Sequence, residues 1–169
     1  MHASIVLTIL AADRPGLVST LSETIAAHGG SWQESRMARL AGQFAGILRV
    51  ECPAGQADAL LAALAALDSQ GIAVQARREE ATVPAPRETL ALDVVGNDRP
   101  GIIRALSAAI AGAGGNVEDL ATSLESAPMS GHPIFHATGR VSLAADGDPA
   151  ALVAAIENLG TDLAVSIER

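Results

Sequence analysis

The sequence predicts an α+β protein built from two β-α-β-β-α-β units in tandem. Three observations carry that expectation. Asp13-Arg14-Pro15-Gly16 returns as Asp98-Arg99-Pro100-Gly101, 85 residues later (13 to 98) and each time directly after an apolar run. At the same offset, His28-Gly29-Gly30 meets Ala113-Gly114-Gly115. Farther on, Phe44-Ala45-Gly46-Ile47-Leu48-Arg49-Val50 aligns with Phe135-His136-Ala137-Thr138-Gly139-Arg140-Val141, now 91 residues apart (44 to 135). A match over strand, turn, helix and turn means one supersecondary plan written twice. The extra residues fall in 126–133, which reads as an enlarged hairpin loop, since surface loops tolerate insertion.

The elements follow from local pattern. Ser4 to Leu10 is short, apolar and β-branched, as a buried strand requires. Pro15 suits the first turn of a helix, where a backbone N–H has no partner to lose. Leu17, Val18, Leu21 and Ile25 recur at helical spacing, and Gly29-Gly30 stops the helix. Ser31 to Leu40 and Gln43 to Glu51 read as strands joined by a tight Ala41-Gly42 turn. Gln56 to Gln70 carries Leu60, Leu61, Leu64 and Leu67 at helical spacing, Gly71 ends it, and Ile72 to Arg77 closes the unit.

The second unit repeats the order with strands over Thr89 to Val95, Asn116 to Glu125, Ile134 to Leu143 and Leu163 to Ile167. Its helices fall over Pro100 to Ala113, with Ile102, Ile103, Leu106 and Ile110, and over Asp148 to Leu159, with Leu152, Val153, Ile156 and Leu159. The expected domains are 1–80 and 89–169. Residues 81–88 form a linker that Pro84 and Pro86 keep extended. Two right-handed crossovers in this order give the ferredoxin-like arrangement, an antiparallel sheet with both helices on one face. The uncovered face and open edges invite pairing, so the two units are expected to pack together and the chain to form a homodimer.

Composition narrows the function. The chain has 169 residues, 49% hydrophobic and 18% charged, the profile of a globular protein. Its net charge of −8 supplies no basic surface for nucleic acid, and no helix-turn-helix or Cys/His finger is evident. Aromatic residues are 2% with no tyrosine, so stacking on bases is unsupported. Phe44 and Phe135 read as core, and Trp32, which has no counterpart, as an edge or interface residue. No apolar run reaches the ~18 residues of a membrane span, and the start lacks a basic signal-peptide region. The single Cys52 fits a reducing cytoplasm and reads as a half-buried inert thiol.

Chemistry concentrates in the turn between first strand and first helix. A helix N-terminus presents unpaired N–H groups and partial positive charge, which suits a carboxylate. Gly16 and Gly101 lack a Cβ and let a small ligand approach the backbone. Asp13, Asp98 and Asn97 would meet an ammonium group, so a zwitterionic amino acid would have both ends satisfied. The candidate ligand-binding residues are Asp13, Arg14, Pro15, Gly16 and Leu17, with Asn97, Asp98, Arg99, Pro100, Gly101 and Ile102. Residue types alone leave equally open that Asp-x-Pro-Gly is only a well-built helix start, with Arg14 and Arg99 solvated or paired to a neighbouring acid.

Other chemistry is not supported. One cysteine excludes a Cys-x-x-Cys metal pair, and Pro133 between His132 and His136 argues against a zinc site. No Gly-x-Ser-x-Gly elbow marks a nucleophile, and neither an enzyme nor a cofactor is expected.

A strand, Asp-Arg-Pro-Gly, a helix and Gly-Gly in a β-α-β-β-α-β unit resemble the ACT domain, a regulatory module that binds amino acids. Asp13 to Val18 and Asp98 to Ile103 carry the likeness. Two such domains in tandem resemble the glycine cleavage system transcriptional repressor family. The resemblance implies a ligand at the interface of paired ACT domains, held by backbone after the first strand. It further implies contact with a separate DNA-binding activator, relieved by glycine. The alternative is a regulatory subunit acting in trans on an enzyme of amino-acid metabolism; a structural pair without ligand is a third reading. The enlarged 126–133 loop departs from the pattern and bears on any inherited interface.

Overall fold

The structure, a computed structural model of the chain, describes residues 1–79, 87–126 and 131–168. The chain divides into two compact units, Met1–Val83 and Pro84–Arg169. The first unit comprises β1 (His2–Ala12), α1 (Leu17–Ala27), β2 (Ser31–Leu40), β3 (Gln43–Pro53), α2 (Ala57–Ala66) and β4 (Ile72–Arg78). The second comprises β5 (Glu88–Asn97), α3 (Ile102–Gly112), β6 (Gly115–Ser126), β7 (Pro133–Leu143), α4 (Pro149–Glu157) and β8 (Ala164–Glu168). Each forms a four-stranded antiparallel sheet, in the orders β2-β3-β1-β4 and β6-β7-β5-β8, with its helices on one face.

Alternation along the strands sets which face is buried. Ile5, Leu7, Ile9 and Ala11 of β1 point under the helices and are essentially inaccessible, meeting Leu17, Leu21 and Ile25 of α1 and Leu60 and Leu64 of α2. In the second unit Leu90, Leu92 and Val94 meet Ile102, Leu106 and Ile110 of α3 and Leu152 and Ile156 of α4. Each buried Leu, Ile or Val among these contributes about 1.5–3 kcal/mol, against at most about 1 kcal/mol for an exposed ion pair. The two cores therefore hold the fold.

The repeat extends to irregular features. Both edge strands bulge at the same place, between Trp32 and Glu34 and between Val117 and Asp119. Beyond each bulge an arginine of the next strand reaches the acid: Arg49 Nε to Glu34 at 3.0 Å, Arg140 Nε to Asp119 at 2.6 Å. Where β2 faces β3 under the helices, Ser35 opposes Leu48 and Met37 opposes Gly46; in the second unit Leu120 opposes Gly139 and Thr122 opposes Ala137. At the first of these positions the large residue changes strand, Leu48 on β3 but Leu120 on β6; at the second the larger residue stays on the edge strand in both units.

Several boundaries differ from expectation. Pro15 and Pro100 lie ahead of α1 and α3, because Gly16 and Gly101, at φ 91° and 83°, are left-handed and hold the chain out of the helix until the next residue. The helix expected over Gln56–Gln70 is α2 flanked by 3-10 turns at Ala54–Gln56 and Leu67–Gln70. Val18 and Ile103 are not core: they are 45% and 40% exposed, on the outer side of their helices. Cys52 is fully rather than half buried. Phe135 is buried and Phe44 packs against the first core, as does Trp32 on edge strand β2. Residues 81–86 of the expected linker and 127–130 of the enlarged loop lie outside the described residues; β6 and β7 pair as far as Ser126 and Pro133.

The helix-free face of each sheet displays the alternate residues, Val6, Thr8 and Leu10 on β1 and Ala91, Asp93 and Val95 on β5. Ser142 departs from this: it shares that parity on β7 yet is fully buried, and its Oγ has no hydrogen-bond partner among the described residues.

Candidate functional site

The two Asp-Arg-Pro-Gly turns are built alike. Each is tied by its Asp amide to the neighbouring hairpin: Asp13 N–H donates to the Gly42 carbonyl at 2.9 Å and Asp98 N–H to that of Pro133 at 3.0 Å. The glycine carbonyl then accepts the first helical bond, from Thr20 N–H at 2.9 Å and from Ala105 N–H at 3.0 Å. Gly16 and Gly101 are the N-caps, and neither has a side chain to cap the first-turn amides. By contrast Asp148 caps α4, its Oδ1 accepting the Ala150 N–H at 2.9 Å. Nothing lies within 4 Å of where a Cβ on Gly16 or Gly101 would stand. Both helix starts therefore carry uncapped donors beside open space, the condition for anion binding.

The side chains of the turns are largely engaged in structure. Asp13 Oδ2 pairs with Arg39 Nε at 2.7 Å. Arg14 is exposed and has no acid partner among the described residues: its Nη2 donates to the Gln70 carbonyl at 2.6 Å, satisfying the end of the helical segment before β4. Arg99 repeats this at the Leu159 carbonyl, 2.7 Å, and also meets Asp162 Oδ1 at 3.2 Å. Leu17 and Ile102 are each 5% exposed, so they offer only backbone to a ligand. Ile102 N–H lies 3.2 Å from the Arg99 carbonyl. Pro15 and Pro100 shape the turns. The Asp98 carboxylate has no hydrogen bond or ion pair among the described residues.

Asp162 was not legible as a site residue. Its Oδ2 accepts the Asn97 N–H at 3.3 Å while Oδ1 meets Arg99, so the second turn already holds a carboxylate. Its own backbone N–H holds its pKa below the ordinary value; desolvation opposes this, and the Asn97 N–H and the Arg99 guanidinium add to the lowering. The available signal was a spacing change. Gly71 directly precedes Ile72, whereas Thr161 and Asp162 separate Gly160 from Leu163. No group of three or more His, Cys, Asp or Glu suited to a metal occurs among the described residues. Among these residues no helix is long and apolar enough to cross a membrane.

The ACT domain family matches residues 3–76, which span the first unit from β1 into β4. The first unit is an ACT domain. The second repeats its fold element for element, giving two ferredoxin-like ACT folds in tandem. The chain is similar along 99% of its length to a protein of unknown function from Galdieria sulphuraria, covering 98% of that chain at 28% identity and TM-score 0.81. It is also similar in fold to a proposed glycine cleavage system transcriptional repressor, with 15% identity and TM-score 0.72 over 100% of this chain and 99% of that one. Comparison with curated protein sequences finds no match.

Proposed function

We propose that this tandem ACT protein is a non-enzymatic sensor. It binds a small amino acid at its Asp-Arg-Pro-Gly turns, at interfaces of paired ACT domains, and changes contact with a transcriptional activator. The observation that carries the reading is the pair of uncapped helix starts on left-handed glycines with free space beside them. The ligand carboxylate meets the first-turn amides, and its ammonium meets Asp98, or Asp13 in exchange for Arg39. Glycine is the first ligand to test, given the full-length likeness to the proposed glycine cleavage repressor. The net charge of −8 accords with a protein that meets DNA only through a partner.

A thermal-shift panel of the proteinogenic amino acids tests the binding. A ligand at 100 times its dissociation constant stabilises by about 2.7 kcal/mol, a shift of several degrees for a chain of this size. A flat panel contradicts the sensor. A pull-down with and without glycine tests the partner: a transcriptional regulator released by glycine supports the reading, while recovery of an amino-acid metabolic enzyme points to a regulatory subunit acting in trans.

A further inference from the structure

The repeat holds at the two turn arginines and breaks beside them. Arg14 Nη2 donates to the carbonyl of Gln70, the residue before Gly71, and Arg99 Nη2 to that of Leu159, the residue before Gly160. Gly71 then leads straight into β4, whereas Thr161 and Asp162 stand between Gly160 and Leu163. In the second unit this additional acid turns onto the arginine. Asp162 Oδ1 meets Arg99 Nη1 at 3.2 Å, and Oδ2 accepts the Asn97 N–H at 3.3 Å. Gly160 leaves room for the contact: a Cβ there would stand 2.6 Å from Asp162 Oδ1 and 3.1 Å from both Nη atoms of Arg99.

The first unit has the same cradle without the acid. Ala12 stands where Asn97 does, 85 residues earlier (12 to 97). In both units the next amide, of Asp13 or Asp98, bonds toward the hairpin, so by ladder alternation the Ala12 N–H points the other way, as the Asn97 N–H does. Arg14 is exposed where Arg99 is half-buried, and it has no ion pair among the described residues. A Cβ on Gly71 would meet nothing within 4 Å. The neighbouring acids do not fill the place. Asp13 is turned to Arg39 at 2.7 Å. Asp68 and Glu157 sit alike, each two residues before the bonded carbonyl, and neither pairs with its arginine.

We propose that Asp162 is a built-in carboxylate filling, in the second unit, a subsite that the first unit leaves open to the carboxylate of a small ligand. There Arg14 Nη1 and the Ala12 N–H receive the ligand as Arg99 Nη1 and the Asn97 N–H receive Asp162. The bond from Nη2 to Gln70 holds the Arg14 guanidinium in place, so its remaining donors are set in advance for a charge-assisted pair. In the second unit the tethered acid is always at hand, and a free carboxylate must displace it. The two turns are therefore unequal. The first adds an arginine to its helix amides; the second offers a ligand the amides alone. For an amino-acid ligand this rests on the sensor reading above, and it adds Arg14 and Ala12 to the groups that hold the carboxylate.

Proton–nitrogen correlation NMR of the full chain tests the subsite, with sodium acetate titrated against sodium chloride at equal ionic strength. In the wild type acetate should shift the Ala12 amide saturably and leave the Asn97 amide in place, while chloride moves neither. This contrast needs no variant to fold. Arg14→Gln should abolish the Ala12 response, and Asp162→Ala should make the Asn97 amide respond to acetate. An Ala12 amide indifferent to acetate, or shifted equally by chloride, overturns the proposal. So does an Asn97 amide that follows acetate in the wild type as far as Ala12, or one that stays unresponsive in folded Asp162→Ala. The two readings fail separately. Acetate binding beside a flat amino-acid panel removes the sensor and keeps the subsite; an amino acid that binds with Ala12 unmoved removes the subsite and keeps the sensor.

Discussion

Arg14 Nη2 stands 2.6 Å from the Gln70 carbonyl, so the arginine of the first turn closes the far end of the second helical segment. Arg99 does the same at Leu159. The repeated arginine is thereby explained as a tie between two loops at one end of the sheet. Arg14→Ala should cost about 1 kcal/mol, a lost charge-assisted bond discounted for exposure, or several degrees in melting temperature for a unit of about 80 residues. Arg99→Ala should cost more, because it also releases Asp162. Urea denaturation of the two variants checks the order; equal stabilities in both and the wild type would remove the tie.

The Gly-Gly doublets divide their work. Gly29 and Gly114, at φ 67° and 74°, turn the chain out of the helix. Gly30 and Gly115 are needed for room: a Cβ there would stand 2.6 Å from Ile25 Cγ2 and 2.9 Å from Ile110 Cγ2, respectively, and against the Ile25 and Ile110 carbonyls. Gly30→Ala and Gly115→Ala should each destabilise by about 1–3 kcal/mol through overpacking. Gly112→Ala, with nothing within 4 Å of its Cβ, serves as the tolerated control.

Gly16 and Gly101 separate strain from space. Their left-handed φ makes any side chain costly, about 1–2 kcal/mol, but no atom blocks one. Gly16→Val and Gly101→Val should remain foldable and together abolish the thermal response to the amino-acid ligand, since the new side chain fills the approach to the first-turn amides. Wild-type affinity in both variants would move the site elsewhere.

Acid should weaken the second unit through Asp162. A carboxyl held below the ordinary value of 3.8 binds fewer protons folded than unfolded in that range. The stability it provides is complete at neutral pH and is lost as pH falls through the ordinary value toward the folded one. Asp162→Asn should flatten this acid limb relative to wild type in denaturation curves recorded as a function of pH. An unchanged limb would assign the acid sensitivity to other carboxylates.

Cys52 is fully buried, and burial pushes its thiol pKa up, with Arg78 opposing more weakly. The thiol should resist an aromatic disulfide reagent in the native protein and react completely in denaturant. Rapid native labelling would mean that β3 opens locally at its end.

The sequence by itself determined the duplication, the β-α-β-β-α-β order, the tight Ala41-Gly42 turn and the apolar faces, because these rest on local periodicity and on residues whose backbone preferences act over a few positions. Asp-Arg-Pro-Gly marked both turns for the same reason. Tertiary structure alone decided what the turn side chains touch: Arg14 to Gln70 is 56 residues apart and Arg99 to Asp162 is 63, distances at which no local pattern carries information. It likewise decided that Val18 and Ile103 face outward, and that the end of the ladder brings Asp162 to the Asn97 N–H. Strand register sets such neighbours, and register depends on how whole faces bury together.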